Sequence, residues 1–239
     1  MLTVLSLADI VIGIEHTHSY IARQCAAYAT KGAPVFTVAV TSEMISRERA
    51  LVSQPSVSDG YCESIAAYRE IARRLPAYDA LLLHAAVIEV DGRAFAFTAK
   101  SGTGKSTHIR LWRSVYGERV GIVNGDKPIL RFGEDGILRA YGTPWSGKEG
   151  WNRNIAVPLS SIVVLLRGET NRIVPLDRGT AVSHLLGQIL LGEDADEVFS
   201  TLSVLDRVLE AVDTRLLYCT PTEEAARVAF SALVGCSND

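Results

Sequence analysis

The chain has 239 residues, 24 Lys and Arg against 27 Asp and Glu, 48% hydrophobic residues and 21% charged. These figures describe a soluble globular protein long enough to bury a core without metal or disulfide staples. A net charge of -3 gives no general attraction for nucleic acid or a membrane surface, so any anionic ligand has to be held locally. Cys25, Cys62, Cys219 and Cys236 are scattered, without zinc spacing or the density of a disulfide scaffold, and read as reduced thiols. The N-terminus lacks a basic leader, no run reaches the ~20 apolar residues of a membrane helix, and a cytoplasmic location is the expectation.

The first sixty residues read as a small α/β unit. A β-rich run over residues 9–15 is followed by a helical stretch over 19–29, the breaker Lys31-Gly32, and a strand over 34–40. Ser42 is placed as the cap of a short charged helix. The polar stretch 53–60, with Pro55 and Gly60, has linker composition and sets the expected domain boundary: residues 1–60 against 61–239.

Within the larger unit, Ile65, Ala66, Tyr68, Ile71 and Leu75 fall at helical spacing over 62–75. The apolar run 81–90, interrupted by His84 and Glu89, turns at Asp91-Gly92 into a second strand over 94–98, which predicts a hairpin. A Gly-rich loop then leads into a helix that stops at Gly117. Strands follow at 120–123, at 129–132 paired with 137–141, at 162–166 and at 171–175. Helices at 180–191 and 194–212, a strand at 215–218 and a helix from Thr222 complete the chain. The fold class expected is α/β with a mixed β-sheet, helices packed on it, and the small N-terminal unit.

The loop Ala99-Lys100-Ser101-Gly102-Thr103-Gly104-Lys105-Ser106-Thr107 carries the strongest chemical signal. It has the phosphate-binding P-loop pattern with Ala in place of the first glycine. Gly102 and Gly104 let successive N–H groups turn around a phosphate, the following helix offers its positive end, Lys105 reaches the β and γ phosphates, and the Ser106 hydroxyl can bind Mg²⁺. The strand before it and the helix after it supply the context the motif demands.

Three further features surround this loop in the reading. Asp126, just past the strand 120–123, is placed to face Mg²⁺ held by Ser106 or to act as a base, although Asn-Gly-Asp is also a turn-former. His84 is read either as a satisfied core residue of its strand or, because that strand belongs to the hairpin that ends in the P-loop, as an imidazole brought near the phosphates. The loop 143–154 holds Trp145, Trp151, Lys148 and Arg153, and is read either as a mobile flap in which Lys148 or Arg153 meets the transferred phosphate and a tryptophan shapes the acceptor pocket, or as a structural loop packed by its tryptophans. His16-Thr17-His18 reads as a helix start.

His84 fifteen residues before Ala99, then Ser-Gly-Thr-Gly-Lys-Ser-Thr, then a strand-end Asp126, resembles the catalytic domain of HPr kinase/phosphorylase. It is also similar to the smaller HPr-kinase-related proteins found with peptide-modifying enzymes. The resemblance covers roughly residues 81–212 and implies a nucleotide-binding core shared with phosphoenolpyruvate carboxykinases, a mixed sheet. It implies that Lys105 and Ser106 handle phosphate and Mg²⁺, that His84 lies beside the transferred group, and that Asp126 matches one of two adjacent aspartates. At the other aspartate position this chain has Gly125.

Taken together, these residues predict an ATP- and Mg²⁺-dependent kinase acting on a hydroxyl, a serine of a peptide or protein or a small alcohol. Ser101 to Thr107 would bind the nucleotide, Ser106 and Asp126 the metal, Asp126 or His84 would serve as base, and Arg153 or Lys148 would steady the migrating group. The alternative expectation is a nucleotide-binding regulatory module or slow ATPase with no phosphoacceptor. A homo-oligomer is compatible with either.

Overall fold

The computed structural model describes residues 1–52 and 56–235, so Cys236 and part of the expected linker, Ser53 to Pro55, lie outside the described residues. The chain opens with β1 (Leu2–Leu7), β2 (Ile10–Glu15), α1 (Tyr20–Gln24), β3 (Phe36–Ala39), α2 (Ser42–Leu51) and α3 (Asp59–Arg74). β1 pairs antiparallel with β2, and β2 parallel with β3, in a three-stranded sheet. The first strand escapes sequence reading because its turn, Ala8-Asp9, takes positive φ at both residues without a glycine. The helix expected over 19–29 is one short α-helix followed by a 3₁₀ turn, Ala26–Tyr28. Thr41, not Ser42, caps α2: its hydroxyl accepts from Met44 N–H at 3.3 Å.

The larger sheet contains β4 (Ala80–Leu82), β5 (Ala85–Val90), β6 (Arg93–Thr98), β7 (Val120–Asn124), β8 (Ile129–Phe132), β9 (Leu138–Tyr141), β10 (Ala156–Arg167), β11 (Arg172–Pro175) and β12 (Asp213–Cys219). Its helices are α4 (Lys105–Tyr116), α5 (Arg178–Leu185), α6 (Ala195–Ala211) and α7 (Glu223–Leu233). The strand order is β4-β8-β9-β10-β6-β5-β7, with β12 on β10 and β11 on β12. β10 runs parallel to β6 and β12 and all other pairs in this sheet are antiparallel, so the sheet is mixed as expected. β10, 12 residues long, is more than twice the length read from its apolar centre because its first residues pair with β9 and its last with β12. The single run read over 81–90 is two strands, β4 and β5, broken at Leu83-His84 and paired to different neighbours.

The sheet is buried on both faces. Along β5, Ala86, Ile88 and Val90 join Phe95, Phe97, Ile109, Trp112 and Ala229 in one core. Ala85 and Val87 point the other way, to Ile162, Leu185, Val204 and Val208. Thus α4 and α7 cover one face, α5 and α6 the other, which explains the uninterrupted apolar runs of the central strands. A third core joins Ile12, Ile14 and Val38 of the small sheet to Tyr68 and Ile71 of α3, to Leu75 just past its end, and to Leu82, Ile129 and Trp145. The residue-60 boundary falls in the first turn of α3. Among the described residues no helix is long and apolar enough to cross a membrane.

His108, in α4, shows how firmly this core is closed. Trp112 Nε1–H donates to its Nε2 at 2.9 Å, so the remaining proton sits on Nδ1, which is buried without a partner. Burial lowers its pKa from 6.5 to about 4. The unfolded chain therefore takes up a proton as the pH falls below ~6.5 while the folded chain does not until about 4. Stability should drop across that window, and His108→Leu should flatten the drop in urea midpoints measured from pH 7 to 4. An unchanged slope would place the titrating group elsewhere.

Candidate active site

Three adjacent strands deliver the site. β6 ends at Thr98 and opens into the P-loop, β5 starts beside it at Ala85, and β7 ends at Asn124. Because Ala85 pairs with Thr98, the next step of the register sets His84 opposite Ala99. The backbone there is pinned: His84 N–H donates to Gln188 O at 2.7 Å, and its carbonyl accepts from Thr98 Oγ1 at 2.9 Å. Ala85 N–H donates to Asp126 O at 3.0 Å, drawing the end of β7 to the same edge.

In the P-loop, Gly102 and Gly104 take φ of +77° and +124°, values that L side chains rarely adopt. A Cβ at either would meet nothing within 4 Å, so their demand is on backbone shape and the cradle is open. Gly104 caps α4 without any side-chain hydrogen bond, leaving first-turn N–H groups available to an anion. Lys105 Nζ donates to Ala99 O at 3.2 Å and lies 3.0 Å from His84 Nε2. Arg167, at the end of β10, donates to Gly102 O at 2.7 Å. Nothing in the sequence marked Arg167 as the brace of this loop.

Asn124 sets the next part. Fully buried, it accepts at Oδ1 from both Asp126 N–H and Lys127 N–H at 2.8 Å, and donates from Nδ2 to Thr143 O at 2.9 Å. This Asx turn fixes the direction of both following side chains. Asp126 Oδ1 lies 3.0 Å from His84 Nε2 and its Oδ2 lies 3.6 Å from Lys127 Nζ. One ring nitrogen cannot both donate to Asp126 and accept from Lys105; the carboxylate favours Nε2–H donating to Asp126. Burial pushes the Asp126 carboxyl upward, but the His84 hydrogen bond and the Lys127 and Lys105 charges outweigh it and hold it below its ordinary range. Burial lowers both lysines, against the pull of Asp126.

These groups occupy one end of a cavity of about 1100 Å³. Another part of its wall comes from the first part of the chain: Tyr20 of α1 with Tyr61, Ser64 and Tyr68 of α3. Tyr20 and Tyr61 meet edge to face with centroids 6.2 Å apart. Trp145 Nε1–H donates to Ser64 Oγ at 2.9 Å, Ser64 Oγ–H donates to Gln24 Oε1 at 2.5 Å, and Gln24 Nε2–H donates to Pro144 O at 3.2 Å. This chain of bonds ties the loop 143–154 to α1 and α3.

That loop is pinned, the structural one of the two readings its sequence offered. Thr143 to Ser146 are buried, Gly125 N–H donates to Trp151 O at 2.8 Å, and Arg153 N–H donates to Val123 O at 3.0 Å. Lys148 lines the cavity and is exposed. Arg153 is not among the lining residues: its Nε donates to Ile122 O at 2.8 Å and its Nη2 pairs with Glu89 at 3.1 Å. A guanidinium so engaged is held outside the cavity lining, at odds with the role expected for it. Trp145 shapes the wall, whereas Trp151 lies under Arg110 at 5.5 Å.

Ser101, Gly102, Gly104, Lys105, Ser106, Thr107, His84 and Asp126 all line the same cavity, while Thr103 is not among its lining residues. The residues fit a nucleotide's phosphates and a divalent ion: open glycine cradle, free helix amides, a lysine, a hydroxyl and an ionised carboxylate. His16 and His18 do not approach this site. Buried Glu63 of α3 accepts from Thr17 and His18 N–H at 2.5 and 2.9 Å, and holds that segment against α3.

The family described as SynChlorMet cassette protein ScmC matches residues 61–192, a different family from the HPr kinase/phosphorylase that residues 81–212 resemble. No curated protein matches. Among solved structures, the HPr(Ser) kinase/phosphatase from Coxiella burnetii is similar at 13% identity, over 64% of this chain and 93% of that one, with a TM-score of 0.35.

Proposed function

The chain belongs to the ScmC family of SynChlorMet cassette proteins, and on that footing we propose that it is an ATP- and Mg²⁺-dependent phosphotransferase acting on a hydroxyl. The observation that carries this reading is the run Lys105 Nζ, His84 Nε2, Asp126 Oδ1, each 3.0 Å from the next, at the P-loop end of the cavity. The P-loop amides and Lys105 bind the terminal phosphates. Ser106 and Asp126 hold the metal, which when bound neutralises charge on the phosphates. The Asp126–His84 pair receives the proton of the acceptor hydroxyl. The acceptor, a serine of a peptide or protein or a small alcohol, enters along the tyrosine wall, and most of the rate comes from positioning and charge.

A second reading, a nucleotide-dependent module or slow ATPase, is favoured by Gly125, which leaves one carboxylate where the resembled enzymes place two. Labelled γ-phosphate separates the two readings. Transfer to a serine peptide or an alcohol, lost in Lys105→Ala, is the expected result. Label released only as inorganic phosphate would favour the module, and no calorimetric heat on adding ATP with Mg²⁺ would reject both.

A further inference from the structure

Lys127 has no part in a P-loop's phosphate grip, yet it lines the same cavity with its side chain 17% exposed. Its Nζ meets Asp126 Oδ2, the oxygen opposite the one facing His84. Its backbone is clamped. The N–H is shared between Asn124 Oδ1 at 2.8 Å and Trp145 O at 3.1 Å, and the carbonyl accepts from Thr143 Oγ1 at 2.7 Å. Through Trp145 it is joined to the tyrosine wall, since that indole packs on Tyr68 with centroids 5.8 Å apart.

Asp126 therefore stands with Lys105 on its P-loop side and Lys127 on its acceptor side. Among the described residues Lys127 ion-pairs with no carboxylate but Asp126, and Lys105, held by Ala99 O and His84 Nε2, ion-pairs with none. Asp126 offsets one base, Glu149 of the same cavity is taken up by Arg110, and the second ammonium leaves a partly enclosed site with positive charge in excess, an arrangement that an incoming anion completes. The other cations expected to steady the migrating group are poorly placed: Arg153 is bound to Glu89 and Lys148 is exposed. The geometry points to Lys127 as a further catalytic residue, the cation that grips the phosphoryl group in flight from the acceptor side. This rests on the phosphotransferase reading above.

The test uses the full chain and binding rather than turnover. Calorimetry compares MgADP with MgADP plus aluminium fluoride, a mimic of the transferring group, for wild type, Lys127→Met, Lys127→Gln and Lys127→Arg. The wild type should bind the fluoride complex at least about tenfold more tightly than MgADP. The Met and Gln variants should bind MgADP within about twofold of wild type and lose that gain, and the Arg variant, which keeps the charge, should keep most of it. Two neutral variants guard against one failing to fold.

A gain retained without the charge would overturn the role of Lys127 and leave the nucleotide site standing. Weakening of MgADP by as much as the fluoride complex would also overturn it, since Lys127 would then only hold Asp126 in place. A wild type that binds MgADP with no gain on adding fluoride counts against the inference alone, whereas one that binds no MgADP removes the phosphotransferase reading as well.

Discussion

Asp126→Asn should lower phosphoryl transfer by about a thousandfold while the protein stays folded. Asparagine keeps the shape, and its carbonyl oxygen can still accept from His84 Nε2, now 3.0 Å from Asp126 Oδ1. The backbone N–H at 126 remains on Asn124 Oδ1. What disappears is the charge on which the metal, His84 and both lysines depend. Lys105 and Lys127 then share a site with no offsetting acid, so nucleotide without Mg²⁺ should bind no more weakly than to wild type, while the benefit of adding Mg²⁺ should vanish. Steady-state rates with labelled ATP and calorimetry with and without Mg²⁺ read the two effects separately. A variant keeping more than about a tenth of the rate would remove Asp126 from the chemistry, because losing a metal-holding or proton-accepting group costs far more than that.

The parts of this site legible in the sequence are those fixed by local backbone demands. Gly102 and Gly104 sit at positive φ, which glycine spacing announces. Asp91-Gly92 turns β5 into β6 with φ of 52° and 74°, and that turn sets the register bringing His84 to Ala99. The mixed sheet follows from hairpins and a long buried strand, both visible as apolar patterns.

Contacts between distant segments were not legible. Trp145 and Ser64 are 81 residues apart, and the tyrosine wall exists only because α1 and α3 line the same cavity as the P-loop, a tertiary fact with no periodicity of its own. Lys127 carried no signal because the groups that clamp its backbone, Trp145 O and Thr143 Oγ1, lie 16 or more residues further on. Arg153 looked free because its partner, Glu89, lies 64 residues away. A loop rich in glycine and polar residues reads equally as a mobile flap or as a loop packed by its tryptophans, and the buried indole of Trp145 with the backbone bonds along β7 decides for the second.

Gly125→Asp, which would restore the paired aspartates of the resembled enzymes, should instead cost this protein about 3 to 4 kcal/mol of stability. A Cβ at Gly125 would lie 2.9 Å from Ser146 O and 3.5 Å from both Trp151 Cβ and Trp151 O. The nearest of these atoms is a backbone carbonyl, so relief requires moving the loop that carries Trp145. Gly125 N–H is itself bonded to Trp151 O at 2.8 Å, so the backbone at 125 cannot retreat without breaking that bond. A second carboxylate would also be forced in next to Asp126, where like charge raises the cost further. Gly125→Ala isolates the steric part and should show a smaller loss in the same direction, read as the shift in urea midpoint. Because the loop would be displaced, the ordered contact between Trp145 and Tyr68 should weaken, with a red shift in tryptophan emission that Asp126→Asn does not produce. Wild-type stability together with a gain in transfer rate would mean that the loop yields to a side chain at 125. This chain would then differ from the two-aspartate enzymes by one missing group; the close approach of Ser146 and Trp151 instead assigns it a single-carboxylate site, in which Lys127 stands beside the one acid that remains.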